Sequence, residues 1–116
     1  MASASEGYHE PLEKLSPATQ DLHRALVSLQ EELEAIDWYQ QRLEACSDPE
    51  LKSALSHNME EEVEHASMLL EWLRRNHPVF RRVLPLFLFK EKPIAELAEV
   101  AERAESGEHP APRPAN

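Results

Sequence analysis

Two long runs of helical periodicity, separated by only three residues, constrain this chain more than anything else in it. Ser16-Pro17 reads as an N-cap with proline at the first helical position, and the pattern then continues without Gly or Pro to about Ala45. Cys46-Ser47-Asp48-Pro49 repeats the punctuation. Either Asp48 caps the next helix with Pro49 after it, or Ser47 pairs with Glu50 in a capping box. That second helix is expected to stop near Asn76-His77-Pro78. At 1.5 Å per residue each helix is about 42 Å long, and a turn this short permits only an antiparallel hairpin. The expected fold class is all-α. The presence of just two glycines, with abundant Ala, Leu, Glu and Gln, agrees with it.

Beyond Pro78, Pro85 interrupts Val79–Leu84 and leaves Leu86-Phe87-Leu88-Phe89 as a separate apolar piece. Pro93 opens a short helix expected over about 93–105. Residues 1–105 are read as one helical domain, and the proline-rich residues 106–116 as a disordered tail.

A chain of 116 residues with 41% hydrophobic content makes one domain. Its net charge of −10 disfavours nucleic acid and anionic membrane as partners and favours cations. The start, MASASEGYHEP, has neither a basic nor an apolar leader region, and no apolar cluster is as long as a membrane span. Cytoplasmic localisation is the expectation. Cys46 has no internal disulfide partner and reads as an ordinary thiol near the turn.

On the first helix Leu22, Leu26, Leu29, Leu33 and Ile36 form a bundle seam. An adjoining seam reads Ala25, Leu29, Glu32, Ile36, Tyr39, Leu43, with Glu32 its single charge. On the second helix Met59, Val63, Ala66, Leu70 and Leu73 form one apolar stripe. Its neighbour reads Leu51, Leu55, Asn58, Glu62, His65, Leu69, Trp72. In a hairpin turning near Ser47, residues at equal depth have numbers summing to about 94, as 32 and 62 do. Three polar seam residues therefore meet at one level.

Burying a carboxylate costs several kcal/mol unless it is paired or holds a metal. Two readings stand for Glu32, Glu62 and His65: a metal shell, or a polar set satisfied by its own hydrogen bonds. Di-iron and di-manganese carboxylate bundles need a Glu from each of two helices and a Glu-x-x-His from each of the other two. This chain supplies one of each. A two-fold dimer of hairpins, a four-helix bundle, would complete the set and bury apolar faces that one hairpin leaves open.

Glu-x-x-His alone is a weak signal, since Glu6-Gly7-Tyr8-His9 matches it where no rigid helix is expected. Glu60 and Glu64 share a solvated face with Ser67 and Glu71, and Glu71 makes an i,i+4 pair with Arg75. Glu61 is also expected to be exposed. Glu31 and Glu34 face one way with Trp38, about 100° around the helix from Glu32. They read as a wet acidic face or as an outer cation site.

Glu31-Glu32-Leu33-Glu34-Ala35-Ile36-Asp37-Trp38-Tyr39 and His57-Asn58, then Glu61-Glu62-Val63-Glu64-His65-Ala66 and Leu70-Glu71-Trp72-Leu73-Arg74-Arg75, resemble the encapsulated ferritins. The likeness runs from about His9 to Leu97. It implies a half-ferritin hairpin whose dimers form a ring-shaped decamer. It also implies a ferroxidase centre of Glu32, Glu62 and His65 from each of two subunits, holding two iron ions per dimer. Glu31 and Glu34 would be an outer iron-attracting site with Trp38 beside it, and Tyr39 a residue close to the metals. The resemblance further implies residence inside an encapsulin shell, to which the family is usually addressed by a C-terminal Leu/Gly/Ser-Leu-type peptide. Pro112-Arg113-Pro114-Ala115-Asn116 does not contain one.

The leading expectation is an enzyme that oxidises Fe(II) to Fe(III) for mineral storage, since carboxylates and imidazole suit both oxidation states and no thiolate competes. The competing expectations are a ring that sequesters divalent metal without turnover, and a structural hairpin whose polar seam only sets register.

Overall fold

The computed structural model describes residues 7–105, and the expected tail lies outside them. A 3-10 turn at Leu12–Lys14 leads into α1 (Pro17–Ala45), followed by α2 (Pro49–Asn76), α3 (Pro78–Phe87) and α4 (Ile94–Glu105). There is no strand among the described residues. Helix α1 starts where Ser16 Oγ accepts a hydrogen bond from the Thr19 N–H at 3.2 Å. Helix α2 starts where Asp48 Oδ2 accepts from the Leu51 N–H at 2.8 Å, so the Asp48 cap prevails over a Ser47–Glu50 box. α1 and α2 pack along each other as the antiparallel hairpin.

Small side chains sit where the two long helices meet. Ala25 and Ala66 are buried at similar depth from the turn, and among the described residues Leu73 is the one large side chain with no exposed surface. The buried set is completed by Leu97 and Ala101 on α4. No polar or charged residue is fully buried among the described residues. Leu26, Leu33, Leu51, Val63, Met68 and Trp72 keep much of their surface exposed. The hairpin thus leaves much of its apolar stripe unburied.

α3 departs from the expectation of a break at Pro85, because the helix runs through that proline to Phe87. Pro85 lies in the last turn, so only one intrahelical donor is lost, and Arg81, whose carbonyl is freed, is exposed to water as is Pro85 itself. The Leu88 N–H still closes on the Leu84 carbonyl at 2.9 Å. The half-buried Phe80, Val83, Leu84 and Phe87 supply the packing face that outweighs the missing bond.

His77 joins α2 to α3 with no residue to spare. Its N–H bonds the Leu73 carbonyl at 2.8 Å, closing α2. Its Nδ1 accepts from the N–H groups of Val79 (3.2 Å) and Phe80 (3.4 Å), opening α3. α4 follows Pro93, whose carbonyl takes the N–H groups of Glu96 and Leu97. It packs on α3 and on neither long helix, with Arg82 and Glu105 paired at 3.1 Å. Helices α3 and α4 form an arm beside the hairpin, and the molecule measures 56 × 44 × 24 Å.

Candidate metal centre

The hairpin register brings Glu32 of α1 level with Glu62 and His65 of α2. His65 Nδ1 lies 3.6 Å from Glu32 Oε2 and 3.6 Å from Glu62 Oε2. One ligand atom from each residue falls within 4.8 Å of the others, and this is the one such trio among the described residues. Two ligands about 2.1 Å from one ion lie roughly 3 to 4 Å apart. The spacing is therefore too long for hydrogen bonds and suits atoms arranged about a cation.

Glu32 Oε2 is buried and has no donor within reach when both carboxyls are ionised. A proton shared with Glu62 would give it one. That contact is the main reason the Glu32 carboxyl is pushed above its ordinary range. Desolvation and the charge of Glu62 push the same way, and His65 opposes them. A divalent cation would relieve the same conflict by replacing the proton. The side chains of Glu32 and Glu62 are 25% and 23% exposed and that of His65 is 49% exposed, so the trio opens onto the uncovered face of the hairpin.

The other expected site residues are not drawn into the trio. Glu31 is exposed and Glu34 half-buried on α1, with Trp38 exposed one turn further. Tyr39 is half-buried, two turns along α1 from Glu32, a rise of about 10 Å. The guanidinium carbon of Arg42 stands 5.3 Å from its ring centroid. That i,i+3 cation–π pair was readable from the spacing of Tyr39 and Arg42, but nothing in the hydrophobic pattern singles it out.

Glu61 is exposed, as expected, and pairs with His57 at 2.7 Å. Glu71 holds two arginines rather than one. Arg74 binds it through two hydrogen bonds of 2.6 and 2.7 Å, and Arg75 through a third of 2.7 Å. This fork holds the Glu71 carboxyl down at about 2. His9 is exposed near the N-terminal end, where Tyr8 stacks at 4.3 Å on His23, and Glu6 lies outside the described residues.

Fold and site together define a class: helical-hairpin proteins with a Glu on one long helix facing a Glu-x-x-His on the other. The sequence model of the EncFtn-like family matches residues 7–91. The chain belongs to that family, the encapsulated ferritin-like proteins. It is 52% identical over 107 residues to an encapsulated ferritin-like protein of Rhodospirillum rubrum, covering 92% of this chain and 76% of that one. It is 48% identical over 95 residues to a ferritin-like protein of Thermotoga maritima, covering 82% and 83%. The crystal structure of protein ne0167 from Nitrosomonas europaea superposes with a TM-score of 0.73 at 58% identity, covering 78% of this chain and 99% of that one. No described helix is long and apolar enough to cross a membrane.

Proposed function

We propose that this chain is a ferroxidase whose working unit is a two-fold dimer of hairpins. Two copies of Glu32, Glu62 and His65 would face each other across the axis and take two Fe(II) ions as substrate, supplying the donor set of a carboxylate-bridged di-iron bundle. Each Fe(II) gives up one electron. The two electrons, with two protons, reduce one dioxygen to hydrogen peroxide, or one hydrogen peroxide to two waters. Neutral His65 and ionised Glu32 and Glu62 are the binding forms, so iron uptake releases whatever protons the trio holds.

The observation that carries this reading is the orphaned oxygen of Glu32 beside Glu62 and His65, on a face that a single hairpin leaves uncovered. Glu31 and Glu34, with Trp38 beside them, would collect iron outside the bundle, and Tyr39 would lie near the metals from within. The dimers would assemble into a ring-shaped decamer inside an encapsulin shell in the cytoplasm. The family's description as encapsulated ferritin-like supports that setting.

Aerobic addition of Fe(II) to the purified chain tests the proposal. Ferric absorbance is expected to rise faster than in buffer, and to lose that acceleration in Glu62→Ala and His65→Ala. Oxidation no faster than buffer, with metal still bound, would replace enzyme by metal store.

A further inference from the structure

The tip of the α3–α4 arm carries a residue that its own chain does not explain. Phe89 follows the C-cap Leu88 with φ of 60°, the left-handed conformation that glycine usually takes past a helix end. A bulky aromatic there is a strained exception. Its ring is fully exposed, and Leu88 and Ile94 beside it are exposed as well. Lys90 and Lys92 flank it. Residues 77–93 hold Arg81, Arg82, Lys90 and Lys92 against Glu91 alone, a basic segment in a chain of net charge −10. Strain persists where something outside the local chain uses it, and no part of the described chain contacts this ring.

A complementary surface lies on α2, running from the outer side at Glu64, Ser67 and Glu71 to Trp72 at the edge of the stripe that carries His65. Met68, 66% exposed, and Trp72 form the apolar floor of a groove of about 490 Å³, bordered by Glu64, Ser67, Glu71 and Arg75. Arg75 is engaged by Glu71, which leaves the Glu64 carboxylate, one turn from Glu60, as the outward charge of that border. The arm does not cover this groove in its own chain, since Phe89 is wholly exposed and α4 packs on α3 and on neither hairpin helix.

We propose that Phe89 docks between Met68 and Trp72 of a second copy, with Lys90 and Lys92 facing Glu64, and that this contact joins one hairpin dimer to the next. The ring meets a thioether and an indole, both favourable partners for an aromatic. The lysines meet a carboxylate instead of the arginines of their own arm, so charge orients the contact. Each chain offers both the knob and the groove, and the contact repeats until the assembly closes. It rests on the ring assembly of the proposed function and names the surface that holds the ring together.

The mass distribution of the full-length protein, measured in solution across a concentration series, tests the contact. Phe89→Gly relieves the backbone while removing the knob. Its melting temperature is expected to hold or rise, while association between dimers weakens roughly thirtyfold, the effect of losing a central aromatic anchor. Glu64→Lys is expected to weaken association too, and combining it with Lys90→Glu and Lys92→Glu to restore it, which a merely structural role for these residues would not do. An unchanged mass distribution in Phe89→Gly, or no restoration by the charge exchange, overturns the contact. A native chain that never exceeds a dimer overturns the contact and the ring together. A native chain without Fe(II) oxidation that still loses its large assemblies on Phe89→Gly supports the contact and fails the oxidation reading.

Discussion

His65 Nδ1 stands 3.6 Å from Glu32 Oε2 across the hairpin, at the level where the burial of carboxylates is least well compensated. The separation is too wide to satisfy either atom and narrow enough for one ion to satisfy both. The first two predictions follow from that gap.

Glu32→Gln puts an amide donor where the orphaned oxygen faces Glu62 and removes one of two adjacent negative charges. The metal-free chain is expected to gain about 1 kcal/mol, since the penalty for an unsatisfied buried acceptor disappears. Its affinity for Fe(II) or a diamagnetic substitute is expected to fall at least about tenfold, by loss of a charged ligand. Thermal melts without metal and titration calorimetry with metal check the two halves separately. A variant that loses stability and keeps affinity would contradict both.

The pH dependence carries a definite sign. The Glu32 carboxyl is raised in the folded chain above its unfolded value, chiefly by its contact with Glu62. Its stabilising contribution is therefore fully present below the unfolded value and is lost as pH rises through the folded one. Metal-free protein is expected to lose part of its stability over that acid-side window, while metal affinity climbs over the same window as the proton leaves the Glu32 carboxyl. Denaturant melts across a pH series record the first trend, and Glu32→Gln is expected to flatten it.

Glu71 behaves in the opposite sense. Held at about 2 by Arg74 and Arg75, it contributes stability above its unfolded value and loses it as pH falls from there through about 2. The fork is well exposed, so salt is expected to weaken it. Glu71→Gln lacks this contribution at every pH, so its helix content, followed by circular dichroism, is expected to be lost at higher pH than that of the native chain. The stability difference between the two is expected to close as pH falls through about 2, with metal binding at neutral pH unaffected.

Leu73 fills the interior beneath the end of α2 and is the largest wholly buried side chain described. Leu73→Ala is expected to cost about 2 to 5 kcal/mol, a large share of what a chain with so few buried residues can hold. Loss of the cooperative melt near room temperature in the metal-free variant, with partial recovery on adding metal, is the expected observation. A loss below about 1 kcal/mol would mean that the core lies elsewhere.

The hairpin was legible because its signals are local. Ser16-Pro17 and Asp48-Pro49 each place a cap oxygen and a proline where an α-helix needs them, and three residues leave no alternative connection. The proximity of Glu32, Glu62 and His65 was legible too, because equal depth in an antiparallel pair is simple counting. Pro85 misled because a local penalty was weighed without the packing face of α3, which the helix acquires only in contact with α2 and α4. Phe89 was illegible for a related reason: a left-handed residue is normally announced by glycine, and none stands there. The second arginine on Glu71, the pairing of His57 with Glu61 and the stacking of Arg42 on Tyr39 depend on side-chain rotamers that spacing permits but does not choose.

His77 ends one helix with its N–H and starts the next with its ring, so no slack lies between hairpin and arm. The arm is a bracket with a fixed corner rather than a tether. Any assembly joined through its tip inherits its curvature from the corner at His77. Were hairpins joined through Phe89 as proposed, that corner would be one of the angles setting how many close a ring, and a linker inserted beside His77 is expected to broaden the size distribution.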